Sequence, residues 1–358
     1  MAGVDHDFLI IGGGIAGVSA GAALCALGSV ALWEAEDAYG RHASGRSAAL
    51  FEENYGAAPV IALNRASLPA HVEGGWLRPR GIMLVGLEGQ EEAFAHDLAQ
   101  MEMEEITPEA AREIVPILAP SLSRAAFSDR ALDIDTDAML QAGLRAIRAS
   151  GGTAMTGMRL SALDRVSGEW RARAGEHVLT ARIVVDAAGP WADAVAAMAG
   201  VRPLGLVAMR RSMARLASPG GHDVSRWPMI FGVGEGWYAK PDAGALIVSP
   251  AEEEPSEPMD AYADDMVLAE GLARYQEAVT VEVTRPLATW AGLRTFTPDR
   301  CLAIGPSEAD GFWWCAGQGG YGFQTAPAAS ALLADLVAGR TPALDARAVM
   351  ATAPGRFR

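Results

Sequence analysis

Gly12-Gly13-Gly14-Ile15-Ala16-Gly17 is a G-x-G-x-x-G. At this spacing Gly12 permits a tight turn, Gly14 lets a pyrophosphate approach the backbone, and Gly17 lets a helix pack close on a strand. Glu34 lies 20 residues past Gly14, where a carboxylate accepts ribose hydroxyls, and Ala35 follows it. Near the other end, Gly317-Gln318-Gly319-Gly320-Tyr321-Gly322 is a second glycine loop, followed by Phe323 and Gln324. It precedes a helix predicted from about Thr325 to Val337, whose amino end would attract an anion. Arg294 ends the apolar run Trp290-Ala291-Gly292-Leu293, where a buried guanidinium needs a partner. An incoming carboxylate, held by a two-pronged fork, would serve. Gly17-Val18-Ser19-Ala20-Gly21 matches the G-x-S-x-G of serine hydrolases, but Ser19 falls inside a helix rather than on a strand-to-helix turn.

The elements that must position these residues read as a doubly wound α/β fold. Phe8-Leu9-Ile10-Ile11 is a buried strand, a helix runs to Gly28, and Val30–Trp33 is the second strand. Phe8 to Trp33 is 26 residues without a charge, long enough to cross a bilayer. Asp5 and Asp7 precede it and six glycines interrupt it, so a strand–turn–helix–strand unit is expected instead. After Glu34 comes a loop of small polar residues, Gly40 to Ala49, whose amides and hydroxyls (Ser44, Arg46, Ser47, Ala48, Ala49) can lie along an extended ligand. Leu50, Phe51 and Tyr55 then turn inward. Arg182–Asp186 reads as a buried strand, Ala187-Ala188-Gly189 as a small turn, and Pro190 starts a helix with Trp191. A nucleotide-type loop at each end of the chain suits one long ligand, FAD, better than two.

The chain has 358 residues, with 29 basic against 44 acidic side chains, a net charge of −15. It carries no basic tract, which argues against nucleic-acid binding. One lysine, Lys240, stands beside 28 arginines. Three cysteines without CxxC spacing fit a reducing, cytoplasmic setting, and six scattered histidines give no metal site.

The stretches IIGGGIAG, SGRSAA, DIDTDA, GVRPLGL, RRS, KPDAG, TWAGLR and QGGYG, spread from about Asp7 to Gly339, resemble the D-amino-acid oxidase and sarcosine oxidase family of FAD enzymes, in particular its D-arginine dehydrogenase branch. The resemblance implies a Rossmann-like FAD domain of the glutathione-reductase type, discontinuous over 1–75, 149–205 and 285–358. It also implies a substrate domain on an antiparallel sheet over 76–148 and 206–284. It places Arg211, Arg294, Tyr55 and Tyr238 around the α-carboxylate and amine of a substrate. From Arg211 itself, with Arg210 and Arg215 beside it, a surface ion pair is the competing account. The cofactor contacts it implies are those of the two glycine loops, the 44–50 loop, Glu34 and Ala35, Ala188, Gly189, Trp191, Gly292 and Arg294.

Departures from that branch define the side-chain pocket. Ile82 stands where it has a glutamate for the guanidinium, Leu50 where it has a histidine, and Phe231 where it has a valine; Met229 is kept, and Gly320 completes the lining. The expected substrate is therefore a D-amino acid with an apolar side chain rather than D-Arg or D-Lys, since a bare cation is costly to desolvate. Oxidation of a secondary amine, glycine or a 2-hydroxy acid is the alternative, and a flavin-binding protein without turnover the alternative of another class. No cysteine lies at 292–295, so FAD is expected to be non-covalent. The strand Ala245–Val248 lacks a lysine, which favours a quinone or other acceptor over oxygen. Arg80 has no role in this account.

Overall fold

The computed structural model describes residues 4–357. Its first sheet is built on the strand His6–Ile11, which pairs in parallel with Val30–Trp33 on one side and His177–Asp186 on the other. Thr153–Met155 and Phe312–Ala316 extend the parallel set outward. These strands are apolar on both faces because both faces are covered. On one face Ile10, Leu32 and Val185 pack against the helices Ile15–Leu24, Thr136–Ala149 and Gly322–Val337. On the other, Leu9, Ala31 and Val184 meet Trp170, Phe312 and the helix Ala192–Met198. The uncharged run Phe8–Trp33 is thus strand, turn, helix and strand, and no helix among the described residues is long and apolar enough to cross a membrane.

The first glycine loop is closed by contacts that no side chain tolerates. Gly12 has φ +108°, and a Cβ there would sit 2.4 Å from Ala187 O; a Cβ on Gly17 would sit 1.9 Å from Gly12 O. The second loop turns at Gly317 and Gly319, both with positive φ, so its helix starts at Gly322, three residues before the expected Thr325.

The second sheet has nine strands, antiparallel except where Met229–Gly232 runs parallel to Ile82–Leu87. Period-two alternation separates its faces. Met83, Ala214, Ile230, Ala239, Leu246 and Val248 point to a core closed by the helix Asp265–Glu277 through Leu268 and Tyr275. Ile82, Met213, Phe231, Tyr238 and Ile247 point the other way. The sheets divide the chain differently from the expected boundaries. Thr136–Ala149, placed with the substrate domain, buries Met139, Leu140, Leu144 and Ile147 against the first sheet's helices. Ala288–Phe296, placed with the FAD domain, pairs over nine positions with Val207–Leu216 of the second sheet. Each segment goes where its apolar face is covered, which a motif boundary does not reveal.

Asp186 ends the central strand fully buried. Its Oδ1 accepts the Ala188 N–H at 3.1 Å, and its Oδ2 has no partner. Burial pushes its pKa well above the ordinary carboxyl value; the Ala188 bond opposes this and Asp193 adds to it. A raised native pKa means that the unfolded chain ionises first, so stability falls as pH climbs through the raised value. Asp186→Asn keeps the acceptor and removes that loss. Its melting temperature is expected to match the parent at about pH 4 and to exceed it increasingly toward about pH 8. A pH-independent difference between the two melting curves would refute this account of Asp186.

Candidate active site

The pairing of Val207–Leu216 with Ala288–Phe296 sets Arg211 opposite Gly292 and Arg294 opposite Met209. Arg211 and Arg294 are therefore diagonal neighbours on one face, a relation that puts Cα atoms about 7–8 Å apart in an antiparallel pair. That face lines a cavity together with Ile82, Met229, Phe231, Tyr238 and Met213. Tyr55, which follows the strand Leu50–Phe51, comes to the same cavity from the far side. Its ring meets Tyr321 edge-on, with centroids 5.5 Å apart.

The two guanidiniums differ. Arg211 is 3 % exposed and pairs with Glu253 at 3.2 Å, while Arg300 holds the other oxygen of Glu253 at 2.6 Å. Burial, with the repulsion of Arg294 added, lowers the Arg211 pKa. Arg294 has no ion pair among the described residues, and its Nη1 is buried without a hydrogen-bond partner. Burial works against its charge, but Tyr55, Tyr238, Glu235 and Glu253 outweigh burial and raise its pKa. Gly320 leaves the approach open, since a Cβ there would stand 3.1 Å from Arg294 Nη1. A half-buried guanidinium without an ion pair beside two phenols has the chemistry to take a carboxylate.

The same cavity continues to the first glycine loop. Gly12, Gly14, Ile15, Ala16, Glu34 and Ala35 line it, as do residues 46–50 with Ser44, then Ala188, Gly189 and Trp191, and Gly319, Gly320, Gly322, Phe323 and Gln324. Glu34 accepts the Gly13 N–H at 2.6 Å and the Glu36 N–H at 2.8 Å. Ser44 Oγ accepts the Ile15 N–H at 3.0 Å. Two of the expected cofactor residues do not line the cavity. Gly17 is turned into the helix–strand contact, and Tyr321 packs on Tyr55 and Phe296. A backbone cradle that a Cβ would fill, an acid at the end of the second strand and the start of a 16-residue helix fit a dinucleotide reaching toward Arg294.

Long-range contacts hold the 44–50 loop in place. Arg46 Nη1 donates to Ala261 O and Ala291 O, both at 2.8 Å, on the substrate side of the cavity. Lys240, on the strand Tyr238–Asp242, donates to Ala48 O and to Ala49 O and pairs with Asp133 at 2.7 Å. Arg80, which had no role in the sequence, meets the same carboxylate at 2.6 Å. The chain's single lysine is one strand away from Ala245–Ser249, the strand that lacks one, and points at the loop.

Sequence reasoning missed three acids in this cavity, Glu36 two residues past Glu34 among them. Glu235 lines it from a turn where its φ is +51°. Glu52 lines it from beside Leu50 and is 5 % exposed. Alternation after Leu50 was the available signal for Glu52, but the strand is only two residues long.

A profile described as "DAO: FAD dependent oxidoreductase" matches residues 7–336. A "D-amino acid dehydrogenase 2" of Ralstonia nicotianae is 48 % identical over 59 residues, 16 % of this chain and 14 % of that protein. A "Glycine oxidase" of Pseudomonas aeruginosa is 45 % identical over 62 residues, 17 % of each chain. These matches span less than a fifth of the curated relatives. Over nearly the whole chain, the fold is similar to glycine oxidase from Geobacillus kaustophilus, with TM-score 0.81 and 22 % identity, covering 96 % of this chain and 97 % of that one. It is equally similar to L-proline dehydrogenase from P. horikoshii, with TM-score 0.83 and 21 % identity, covering 99 % and 98 %. With the family profile spanning both glycine loops and both site arginines, the chain belongs to the DAO family of FAD-dependent oxidoreductases.

Proposed function

We propose that the protein oxidises the Cα–N bond of a D-amino acid, with non-covalently bound FAD as the electron acceptor. The observation that carries this reading is Arg294, which lines the cavity shared by both glycine loops and has no ion pair among the described residues. Arg294, with Arg211 behind it, takes the α-carboxylate, and Tyr55 and Tyr238 flank it. FAD, held along Gly12, Gly14 to Ala16, Glu34, Gly319, Gly320 and Gly322 to Gln324, would supply the two-electron acceptor for the Cα hydride. The substrate loses that hydride and one ammonium proton, and the resulting imino acid is hydrolysed by water to a 2-oxo acid and ammonia. The chain contributes orientation and electrostatics. No side chain in the cavity need be a strong base, because the ammonium can lose its proton to water.

The side chain would lie among Leu50, Ile82, Met229 and Phe231, which supports an apolar stem. The low expectation for D-Arg and D-Lys rests on Leu50, Ile82 and Phe231 together, and Glu52, which also borders the cavity, is the one acid that weighs against it. The physiological acceptor remains a quinone, another carrier or oxygen. The Lys240 ammonium is committed to Asp133 and the Ala48 and Ala49 carbonyls.

Arg294→Ala is expected to lower kcat/KM on the best D-amino acid by about 2–5 kcal/mol of transition-state binding. Arg211→Ala should cost less, because Glu253 keeps Arg300. Near-parental kcat/KM in Arg294→Ala would remove the carboxylate anchor. Anaerobic mixing with paired enantiomers, glycine, sarcosine and 2-hydroxyglutarate tests the substrate class. D-amino acids should bleach the flavin fastest; sarcosine or the hydroxy acid leading the panel would reassign the reaction, and a flavin that none of them bleaches would reject it.

A further inference from the structure

The edge of Val207–Leu216 that faces away from Ala288–Phe296 is covered in two pieces. Glu254–Ser256 pairs with it at 208–210, and Ala245–Ser249 pairs with it at 214–216. The segment joining those two strands turns at Ala251, where φ is +55°. Side chains stand in for the ladder beside it. Glu252 accepts the Ser212 N–H at 2.5 Å, and Ser249 Oγ donates to Ser212 O at 2.8 Å. The next residue, Glu253, sets its carboxylate between two cations. Its Oε1 accepts from Arg211 Nη2 at 3.2 Å, and its Oε2 accepts from Arg300 Nη2 at 2.6 Å.

Exposure rises along this relay. Arg211 is buried and lines the cavity. Glu253 and Arg300 do not line it, and their side chains are 31 % and 45 % exposed. Arg300 is held in place by the Phe296 ring, with its guanidinium carbon 4.0 Å from the ring centroid. The charge of Glu253 also reaches Arg294, whose pKa it helps to raise. Glu253 thus occupies Arg211 with the functional group that an amino acid presents, and Arg300 takes up part of its charge.

Resting on the proposed amino-acid oxidation, we propose that Glu253 and Arg300 set the strength of the carboxylate anchor from outside the cavity: Glu253 competes with the incoming carboxylate for Arg211, and Arg300 weakens that competition. Both are positioning residues that act through Arg211. The carboxylate is present alike in the bound substrate, the reacting complex and the 2-oxo acid product. The pair therefore acts on KM and on product affinity rather than on the rate of Cα–H cleavage. Such tempering favours release, since two unopposed guanidiniums would hold the product as firmly as the substrate.

The sign of the effect separates this role from a structural one. Glu253→Gln keeps an acceptor and makes the site more positive by one charge, whereas Arg300→Gln makes it more negative by one. Both variants and their combination are compared with the parent as holoenzymes. The readouts are KM for the D-amino acid that reduces the parent flavin fastest, and the Kd of its 2-oxo acid on the oxidised enzyme, titrated by the change in flavin absorption. Glu253→Gln is expected to lower both constants by about tenfold and Arg300→Gln to raise both by about tenfold, one unit charge acting beside a partly exposed pair. The double variant should return to within about threefold of the parent, because the two charges cancel. The limiting rate of anaerobic flavin reduction should change less than about threefold throughout. Glu253→Gln is decisive by itself, because a damaged site does not bind more tightly. Unchanged or weaker binding in Glu253→Gln, or shifts that add in the double variant, overturns the tempering role and leaves the proposed reaction standing. A parent flavin that no D-amino acid bleaches overturns both.

Discussion

Two guanidiniums share one face of a sheet, and the rest of the site answers to that fact. Like charges on diagonal neighbours repel, and burial removes the water that would screen them. Glu253 relieves Arg211 from behind, shared with Arg300. Arg294 has only phenols and more distant acids, and one of its nitrogens is orphaned. Folding tolerates this because the strand pairing that creates it runs over nine positions and is supported by a core on the opposite face. The missing stabilisation is available to an anion, which converts a cost in the free protein into affinity for a carboxylate.

The positions opposite and beside these arginines are correspondingly empty of side chain. Gly292 faces Arg211 across the ladder, and Gly320 lies against Arg294. The loop at 44–50 closes the remaining side and belongs to neither sheet. Arg46 pins it to backbone carbonyls at 261 and 291, and Lys240 pins it from the strand that also carries Tyr238. The cofactor cradle and the substrate sheet thus share one brace. The brace is made of charged groups ending on carbonyls and on Asp133, contacts that hold direction better than apolar packing does.

Legibility in the sequence followed the range of the interaction. The first glycine loop, its helix and Glu34 lie within one contiguous unit, and each residue's role was readable from spacing. The buried strands were readable from apolar runs. Arg294 announced itself by sitting in such a run, whereas Arg211 did not and came only from family resemblance. Glu235, Lys240 and Arg80 were beyond reach for one reason. Each acquires its meaning from a partner or a wall more than 40 residues away in the chain, and nothing local marks it. The domain boundaries slipped at Thr136–Ala149 and Ala288–Phe296 for the same reason, since which sheet a segment joins is decided by the face that covers it.

The distribution of charge in the cavity has a consequence for orientation. Cations stand on the strands at 211 and 294, close enough to Glu235 for it to act on both, and Glu52 borders the cavity with no ion pair among the described residues. In a dry cavity the interaction of a zwitterion with such a field is several-fold stronger than in water. A carboxylate placed beside Glu52 would leave Arg294 unpaired and set two like charges together, so that pose loses on both counts. The field therefore selects one direction of entry, carboxylate toward Arg294, before any shape complementarity acts. Shape then has only to choose which of the remaining substituents on Cα follows the Leu50–Ile82 wall. A site that divides the work in this way can keep its anchor unchanged while the wall residues vary, as Ile82 and Phe231 do relative to the family pattern.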